Sequence, residues 1–249
     1  MIDTDLLLAE VTNSTDTLAD ITAGADQGAQ VPTCPDWTLR QLVTHVGRAH
    51  RWATSIVATQ AAEPIPFREV PDGRLPDDPA ERPEWLRSGA ARLADAVHGA
   101  GPGPVWTHQG MGPASYWARR MAHETAVHRA DGQLTLGIRP AIDPVIATDG
   151  IDEWLGFGAE PGQRNTAVPE GKVLHLHATD EGLDGEWLIR GGPDGITVLH
   201  GHGKGDAAVR GPASVLLLVL LRRLPPDDPE VEVLGDRTVL DTWLAATPF

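Results

Sequence analysis

The sequence has little that would tie it to an oxidising compartment, a membrane or a nucleic acid. Cys34 is the only cysteine among 249 residues, which rules out an internal disulfide and is typical of a reducing compartment. The longest apolar run, residues 215–221, is far too short to span a bilayer. Lys and Arg number 20 against 35 Asp and Glu, a net charge of −15, which disfavours nucleic acid or an anionic membrane as a partner. The basic start of a secretory signal peptide is also missing, so we expect a cytoplasmic protein.

The hydrophobic content of 41% is sufficient for a real core, and the length fits one large domain or two ordinary ones. Apolar residues recur at helical spacing in the first part of the chain, which predicts helices starting near residues 4, 38, 83, 116 and 144. A proline-rich stretch, residues 64–79, interrupts them as a loop. Helices of this length joined by loops are typical of an up-and-down bundle.

The pattern changes after a stretch rich in glycine and proline, residues 157–170. Short, alternating, glycine-bounded segments follow and predict an antiparallel meander with two helices near its end; the strands are 173–178, 186–190, 195–199, 206–210 and 231–234, and the helices are 211–223 and 236–245. The fold class is therefore α+β. We assign residues 1–156 to the helix bundle, 157–170 to a linker and 171–249 to a smaller C-terminal α+β domain.

Candidate metal ligands lie on the helix predicted over residues 116–131. Glu124 and His128 are four residues apart and share one face, and Trp117 lies on that face two turns before Glu124. His123 and Glu124 resemble the start of a zincin motif, but that motif needs two histidines four residues apart. His123 and His128 are five apart, so they cannot share one ion, and a metalloprotease is excluded.

His45 can supply a third ligand, because it borders the apolar stripe of the second helix and is expected to point into the bundle. One glutamate and two histidines from facing helices form the usual donor set of a catalytic zinc site with an open position. Trp52, seven residues after His45, and Trp117 are expected to form apolar walls within about 10 Å of the ion. The ordinary alternatives are a surface pairing of Glu124 with Arg120 or His128, and a core-edge histidine at position 45.

Two other features have ordinary interpretations. His175 and His177 alternate along one strand and could bind a metal, but solvent-exposed strand histidines are the simpler explanation. Cys34 precedes a helix, where a thiol pKa can be lowered, yet no histidine is near in sequence. Structural packing is the better interpretation of this cysteine.

Several stretches of the sequence resemble the mycothiol-dependent maleylpyruvate isomerase family, and together they span nearly the whole chain. They are VPTCPDWT (31–38), LVTHVGR (42–48), RMAHETAVHR (120–129), VRGPAS (209–214), GDR (235–237) and LDTWL (240–244). The resemblance implies a DinB-like four-helix bundle followed by a small C-terminal α/β domain. It also implies metal ligands at His45, Glu124 and His128, zinc as the ion, and mycothiol as a thiol co-substrate.

The function implied is attack of an activated thiol on a small electrophile, as an isomerase or an S-transferase. An arginine would suit a carboxylate substrate, and Arg237, Arg222 and Arg223 are the candidates in the C-terminal domain. The alternative is a non-catalytic, zinc-stabilised bundle that binds a small molecule or a protein. A fourth protein ligand, such as His123 or Asp131, would favour that alternative. The sequence does not distinguish one electrophile from another.

Overall fold

The computed structural model describes residues 2–159 and 166–247. The chain divides into two compact units, Met1–Pro140 and Ala141–Phe249. None of the helices in these described ranges is both long and apolar enough to cross a membrane. The α+β class predicted from the sequence is confirmed.

The first unit is a helix bundle. Its helices are α1 (Thr4–Thr22), α2 (Leu39–Ala58), α3 (Arg82–His98) and α4 (Ser115–Thr135). Both α1 and α2 pack against α3 and α4. A short antiparallel hairpin of β1 (Val105–Thr107) and β2 (Gly110–Gly112) connects α3 to α4, and sequence periodicity did not predict it.

The second helix, α2, begins as the sequence predicts. The Thr38 side chain accepts a hydrogen bond from the backbone N–H of Gln41, and the Gln41 side chain accepts one from the backbone N–H of Thr38. This capping box satisfies two backbone donors that a helix start leaves unpaired. Val43 and Val46 are buried in the bundle, which leaves His45 between them at the edge of the apolar stripe.

The fourth helix, α4, continues to Thr135, beyond residue 131, where the helix predicted from the sequence ends. A Cβ atom at residue 132 would lie 2.7 Å from Cδ1 of Leu18 on α1. The glycine therefore serves the close approach of α1 and α4 rather than a helix end, and the predicted end was wrong. Glycine inside a helix costs about 1 kcal/mol relative to alanine, a cost that close packing can offset.

The second unit combines helices with a five-stranded sheet. Its elements are α5 (Pro144–Gly158), β3 (Val173–Ala178), β4 (Glu186–Gly192), β5 (Gly195–His200), β6 (Ala207–Gly211), α6 (Ala213–Leu220), β7 (Glu232–Gly235) and α7 (Arg237–Ala246). The strand order is β5-β4-β3-β6-β7. Strands β3, β4 and β5 are antiparallel as predicted, but β6 pairs in parallel with β3. The prediction of a simple meander was wrong at that point.

The division into units falls before α5, which packs against α6 and β5. The boundary predicted from composition, residues 157–170, begins within the last two residues of that helix. Residues 160–165 of this predicted linker lie outside the described residues.

Candidate functional site

The structure brings the three predicted metal ligands together inside the first unit. Nε2 of His45 on α2 is 2.8 Å from Oε1 of Glu124 on α4. Nε2 of His128, one turn further along α4, is 3.2 Å from the same oxygen. One ligand atom from each side chain lies within 4.8 Å of the other two. Their spacing follows from the i, i+4 pair on α4 and from the packing of α2 against it.

The centre of this cluster is strongly charged. Burial alone would raise the pKa of Glu124, but Arg120 and hydrogen bonds from His128 and His45 hold it well below its usual value. The guanidinium of Arg120 bonds the second carboxylate oxygen. Burial alone would lower the pKa of His128, but hydrogen bonds to Asp131 and Glu124 raise it to about 9. The carboxylate of Glu124 therefore stays ionised, and it attracts positive charge to the point where the two imidazole nitrogens meet it.

Asp131 orients His128 from the side away from Glu124. Its side chain has no exposed surface, and Oδ2 accepts a 2.8 Å hydrogen bond from Nδ1–H of His128. The hydroxyl of Thr33 donates to Oδ1 at 2.5 Å. Cys34 Sγ lies 3.7 Å from Oδ2. Because Nδ1 is engaged, Nε2 is the nitrogen that faces Glu124.

Aromatic side chains surround His45. The rings of Trp37 and His45 have centroids 4.7 Å apart, and Trp37 also lies 5.6 Å from the ring of His128. Phe67 reaches the site from the proline-rich loop, and its ring centroid lies 5.8 Å from that of His45. Sequence analysis missed both aromatic residues. Helical spacing carries no signal for side chains that reach a site from loops.

The two predicted tryptophans form the next layer. Trp52 contacts Phe67 with ring centroids 5.7 Å apart and Trp117 with centroids 5.0 Å apart. The indole N–H of Trp52 donates to the carbonyl of Ile65 at 2.7 Å, which fixes its ring. Trp117 is fully buried, so it supports Trp52 and offers no surface to a ligand in this structure.

A further buried histidine, His50, lies on α2 outside the cluster. Its Nε2–H donates to Oγ1 of Thr125 at 2.8 Å, because the Thr125 hydroxyl itself donates to the Met121 carbonyl. Burial, followed by the nearby charge of Arg51, lowers the pKa of His50 to about 3. His50 is therefore a neutral, structural histidine.

The candidate arginines belong to the second unit. Arg237 is the first residue of α7, and its Nε lies 3.5 Å from Oδ1 of Asp241, the ordinary pairing expected at this spacing. Arg222 has a left-handed backbone with φ of 60°, and its guanidinium donates to the carbonyl of Leu244. Arg223 is buried and donates to the carbonyl of Leu221 at 2.8 Å. Their part in binding a substrate stays a prediction.

Comparison with known proteins identifies both parts of the chain. Residues 7–132 match the sequence model of the mycothiol maleylpyruvate isomerase N-terminal domain, and residues 146–242 match that of the MDMPI C-terminal domain. No curated protein matches the chain.

Two solved structures resemble the fold over 93% of this chain and 93% of theirs, each at 18% identity. One is the crystal structure of the mycothiol-dependent maleylpyruvate isomerase, with a TM-score of 0.63. The other, with a TM-score of 0.62, is a histidine-to-alanine mutant of an enzyme with the same description. At this identity the likeness establishes the fold alone.

Proposed function

Because the chain belongs to the mycothiol maleylpyruvate isomerase family, we propose that it is a zinc-dependent enzyme that uses mycothiol as a thiol co-substrate. It acts on a small electrophile, either as an isomerase or as an S-transferase. The observation that carries this proposal is the convergence of His45, Glu124 and His128 on one point within the bundle.

These side chains fit a zinc ion. Two imidazole nitrogens and a carboxylate oxygen are ordinary zinc donors, and three protein donors leave a coordination position open. Asp131 holds the His128 ring with Nδ1 protonated, so that the lone pair of Nε2 is free for an ion once its proton has left. Both oxygens of Asp131 already accept hydrogen bonds, which makes it a poor fourth ligand. An open position favours the enzyme over the non-catalytic, zinc-stabilised bundle.

A zinc ion bound at these donors would lower the pKa of a coordinated thiol, so that mycothiol is present as its thiolate at neutral pH. The chain's own residues prepare the site for this chemistry. Arg120 neutralises the oxygen of Glu124 that faces away from the histidines. Trp37 and Phe67 pack beside His45 and limit the access of water, which strengthens electrostatic interactions there.

The reaction type follows from what becomes of the sulfur. Addition of the thiolate to an activated carbon–carbon double bond forms a C–S bond and leaves a single bond that can rotate. Expulsion of the thiolate then restores the double bond in the other geometry, which is isomerisation. In S-transfer the thiolate instead displaces a leaving group, so that the new C–S bond replaces the bond to the group that departs. A carboxylate on the substrate would be bound by an arginine, for which we propose Arg237 or Arg222.

The test combines metal analysis with a search for products. The zinc-loaded full chain is incubated with mycothiol and maleylpyruvate, then with mycothiol and a panel of electrophiles, and mass spectrometry follows isomers and adducts. We expect conversion that needs mycothiol, and loss of conversion in His45→Ala. The exposed His98, which pairs with Asp5 at 2.9 Å outside the cluster, provides the control variant His98→Ala, which should keep wild-type activity.

Two results would contradict the proposal. Equal conversion by the wild type and His45→Ala would place the chemistry elsewhere. Zinc bound in the wild type and lost in His128→Ala, with no conversion of any electrophile, would support the non-catalytic alternative.

A further inference from the structure

A second cluster of metal-ligating side chains lies in the second unit and shares no residue with the first. Nε2 of His175 and Nδ1 of His202 lie 2.9 Å and 2.8 Å from the same oxygen, Oε2 of Glu186. One ligand atom from each of the three residues lies within 4.8 Å of the others. His177 lies next to them, with Nε2 4.0 Å from the other oxygen of Glu186.

The buried state of His175 contradicts the expectation of two solvent-exposed strand histidines. The His175 side chain is 6% exposed, whereas that of His177 is 33% exposed. A buried imidazole needs a partner for its polar atoms, and here that partner is a carboxylate shared with a second imidazole. Such a shared carboxylate places three donor atoms around one small volume.

The sheet register explains why residues distant in sequence meet here. His177 on β3 pairs directly with Glu186 on β4, and His175, two residues earlier, occupies the diagonal position on the same face. Diagonal neighbours remain within reach of a long side chain, and Glu186 uses that reach to contact His175.

The third donor comes from the turn that follows β5. The backbone N–H of Gly201 donates to the carbonyl of Glu186 at 3.0 Å, which holds this turn beside β4. Gly201 has a φ of 114°, a conformation that residues with a side chain rarely adopt. The turn directs His202, the next residue, toward Glu186.

We propose that His175, Glu186 and His202 bind a divalent transition-metal ion of the zinc class. Two imidazoles and one carboxylate suit zinc, cobalt or nickel better than magnesium or calcium, which prefer oxygen ligands alone. His177 lies beside the cluster but is not among its three donors. The site is independent of the proposed function, because none of its residues takes part in the thiol chemistry.

The surroundings allow an ion to enter and to keep an open position. A cavity of about 650 Å³ is lined by His177, Glu186 and His202, together with Thr179, Asp180 and Arg210. The His202 side chain is 80% exposed, so the cluster can be reached from solvent. Water or a small ligand can complete the coordination from the cavity side.

A metal-free network offers the competing explanation, in which both imidazoles simply donate N–H groups to Glu186. The two explanations differ in the number of zinc ions bound per chain. Under our proposal the full chain binds two zinc ions, one at each cluster. If the second cluster is only a hydrogen-bond network, the chain binds no second ion.

The experiment starts from the full chain freed of metal by a chelator and dialysis. Zinc is then titrated by calorimetry, and cobalt by visible absorption. We expect two equivalents in the wild type and one in His202→Ala, Glu186→Gln and His128→Ala. Loss of a direct ligand should weaken the affected site by more than about 100-fold, because loss of an outer-shell partner alone costs 10–100-fold. His200→Ala removes a cavity histidine that is not among the donors, and should keep two equivalents.

Because His202 is mostly exposed, its replacement leaves the fold intact, and circular dichroism verifies this. Two equivalents in both the wild type and His202→Ala would overturn the proposal, as would a single wild-type equivalent that His128→Ala abolishes. A single equivalent that survives in His128→Ala and is lost in His202→Ala would support this site and contradict the zinc site of the proposed function.

Discussion

Nδ1–H of His128 donates a 2.8 Å hydrogen bond to Oδ2 of Asp131, a carboxylate three residues further along α4 that has no exposed surface. Histidines that ligate metals commonly give their second N–H to a carboxylate, which fixes the tautomer and makes the ring a stronger ligand. Asp131 is therefore placed as the group that positions a ligand of the proposed zinc ion.

Asp131→Asn should weaken zinc binding at the first cluster by about 10–100-fold. An asparagine can present its NH₂ group to Nδ1 and favour the tautomer that protonates Nε2. Competition with a chromophoric chelator measures the change. Asp36→Asn removes an equal charge from an exposed position on the loop that carries Thr33 and should have little effect. Wild-type affinity in Asp131→Asn would mean that helix packing alone orients His128.

Gly47→Ala should destabilise the bundle. A Cβ atom at residue 47 would lie 2.1 Å from Cζ3 of Trp85. That ring is held by Arg51, 4.2 Å from its centroid, and by a 3.0 Å hydrogen bond to the Asp72 carbonyl. We expect overpacking to lower the free energy of unfolding by about 1–3 kcal/mol. The better helix propensity of alanine offsets about 1 kcal/mol of that loss.

Chemical denaturation followed by circular dichroism measures this effect. Gly156→Ala is the control, because Gly156 lies in α5 and a Cβ there meets nothing within 4 Å. The control should be neutral or stabilising. Equal shifts of the denaturation midpoint in both variants would contradict the packing argument.

His50 should make the bundle less stable in acid. Its pKa is about 3 in the folded chain and about 6.5 in an unfolded one. Between these values the unfolded state binds the extra proton, so the free energy of unfolding falls as the pH decreases, by at most about 1.4 kcal/mol per pH unit. His50→Gln lacks this titration.

Denaturation of the metal-free chain at several pH values checks this dependence. As the pH falls from 6.5 toward 3, the free energy of unfolding of the wild type should decrease relative to that of His50→Gln. A difference that stays constant over this range would show that His50 does not titrate as its burial requires.

Arg237→Ala should lower kcat/KM on an established substrate by about 10–100-fold, since hydrogen bonds to charged groups contribute ~1.5–3 kcal/mol. Zinc content should stay unchanged. Asp241→Ala is the matched control, because it removes the partner 3.5 Å from Arg237 Nε and keeps the guanidinium. Unchanged kinetics in Arg237→Ala would move the role to Arg222 or Arg223.

The sequence predicted most of the candidate zinc site because its members obey local rules. Glu124 and His128 follow helical spacing. His45 borders the apolar stripe of α2, a helix whose start is marked by a capping box. Asp131 also had a spacing signal, three residues after His128, but it was considered only as a possible ligand. Trp37 and Phe67 had none, since loop residues reach a site through tertiary packing.

The errors in the fold have the same origin. Gly132 is typical of a helix end when viewed alone, and only the packing of Leu18 shows why α4 continues through it. Alternation along residues 206–210 predicted a strand correctly, but alternation does not specify which strand is its neighbour. The parallel pairing of β6 with β3 is a property of the assembled sheet.

That parallel pairing also affects how the second unit is made. Leu174 on β3 pairs with Ala207 on β6, and the whole β4–β5 hairpin lies between them in the chain. Closing so long a loop is slow compared with forming a hairpin, so we expect β3, β4 and β5 to associate first. His175 and Glu186 belong to these strands, and His202 lies in the turn that follows β5. Zinc supplied while the chain is being synthesised would then bind before the sheet is complete, and metal availability would influence the yield of folded protein.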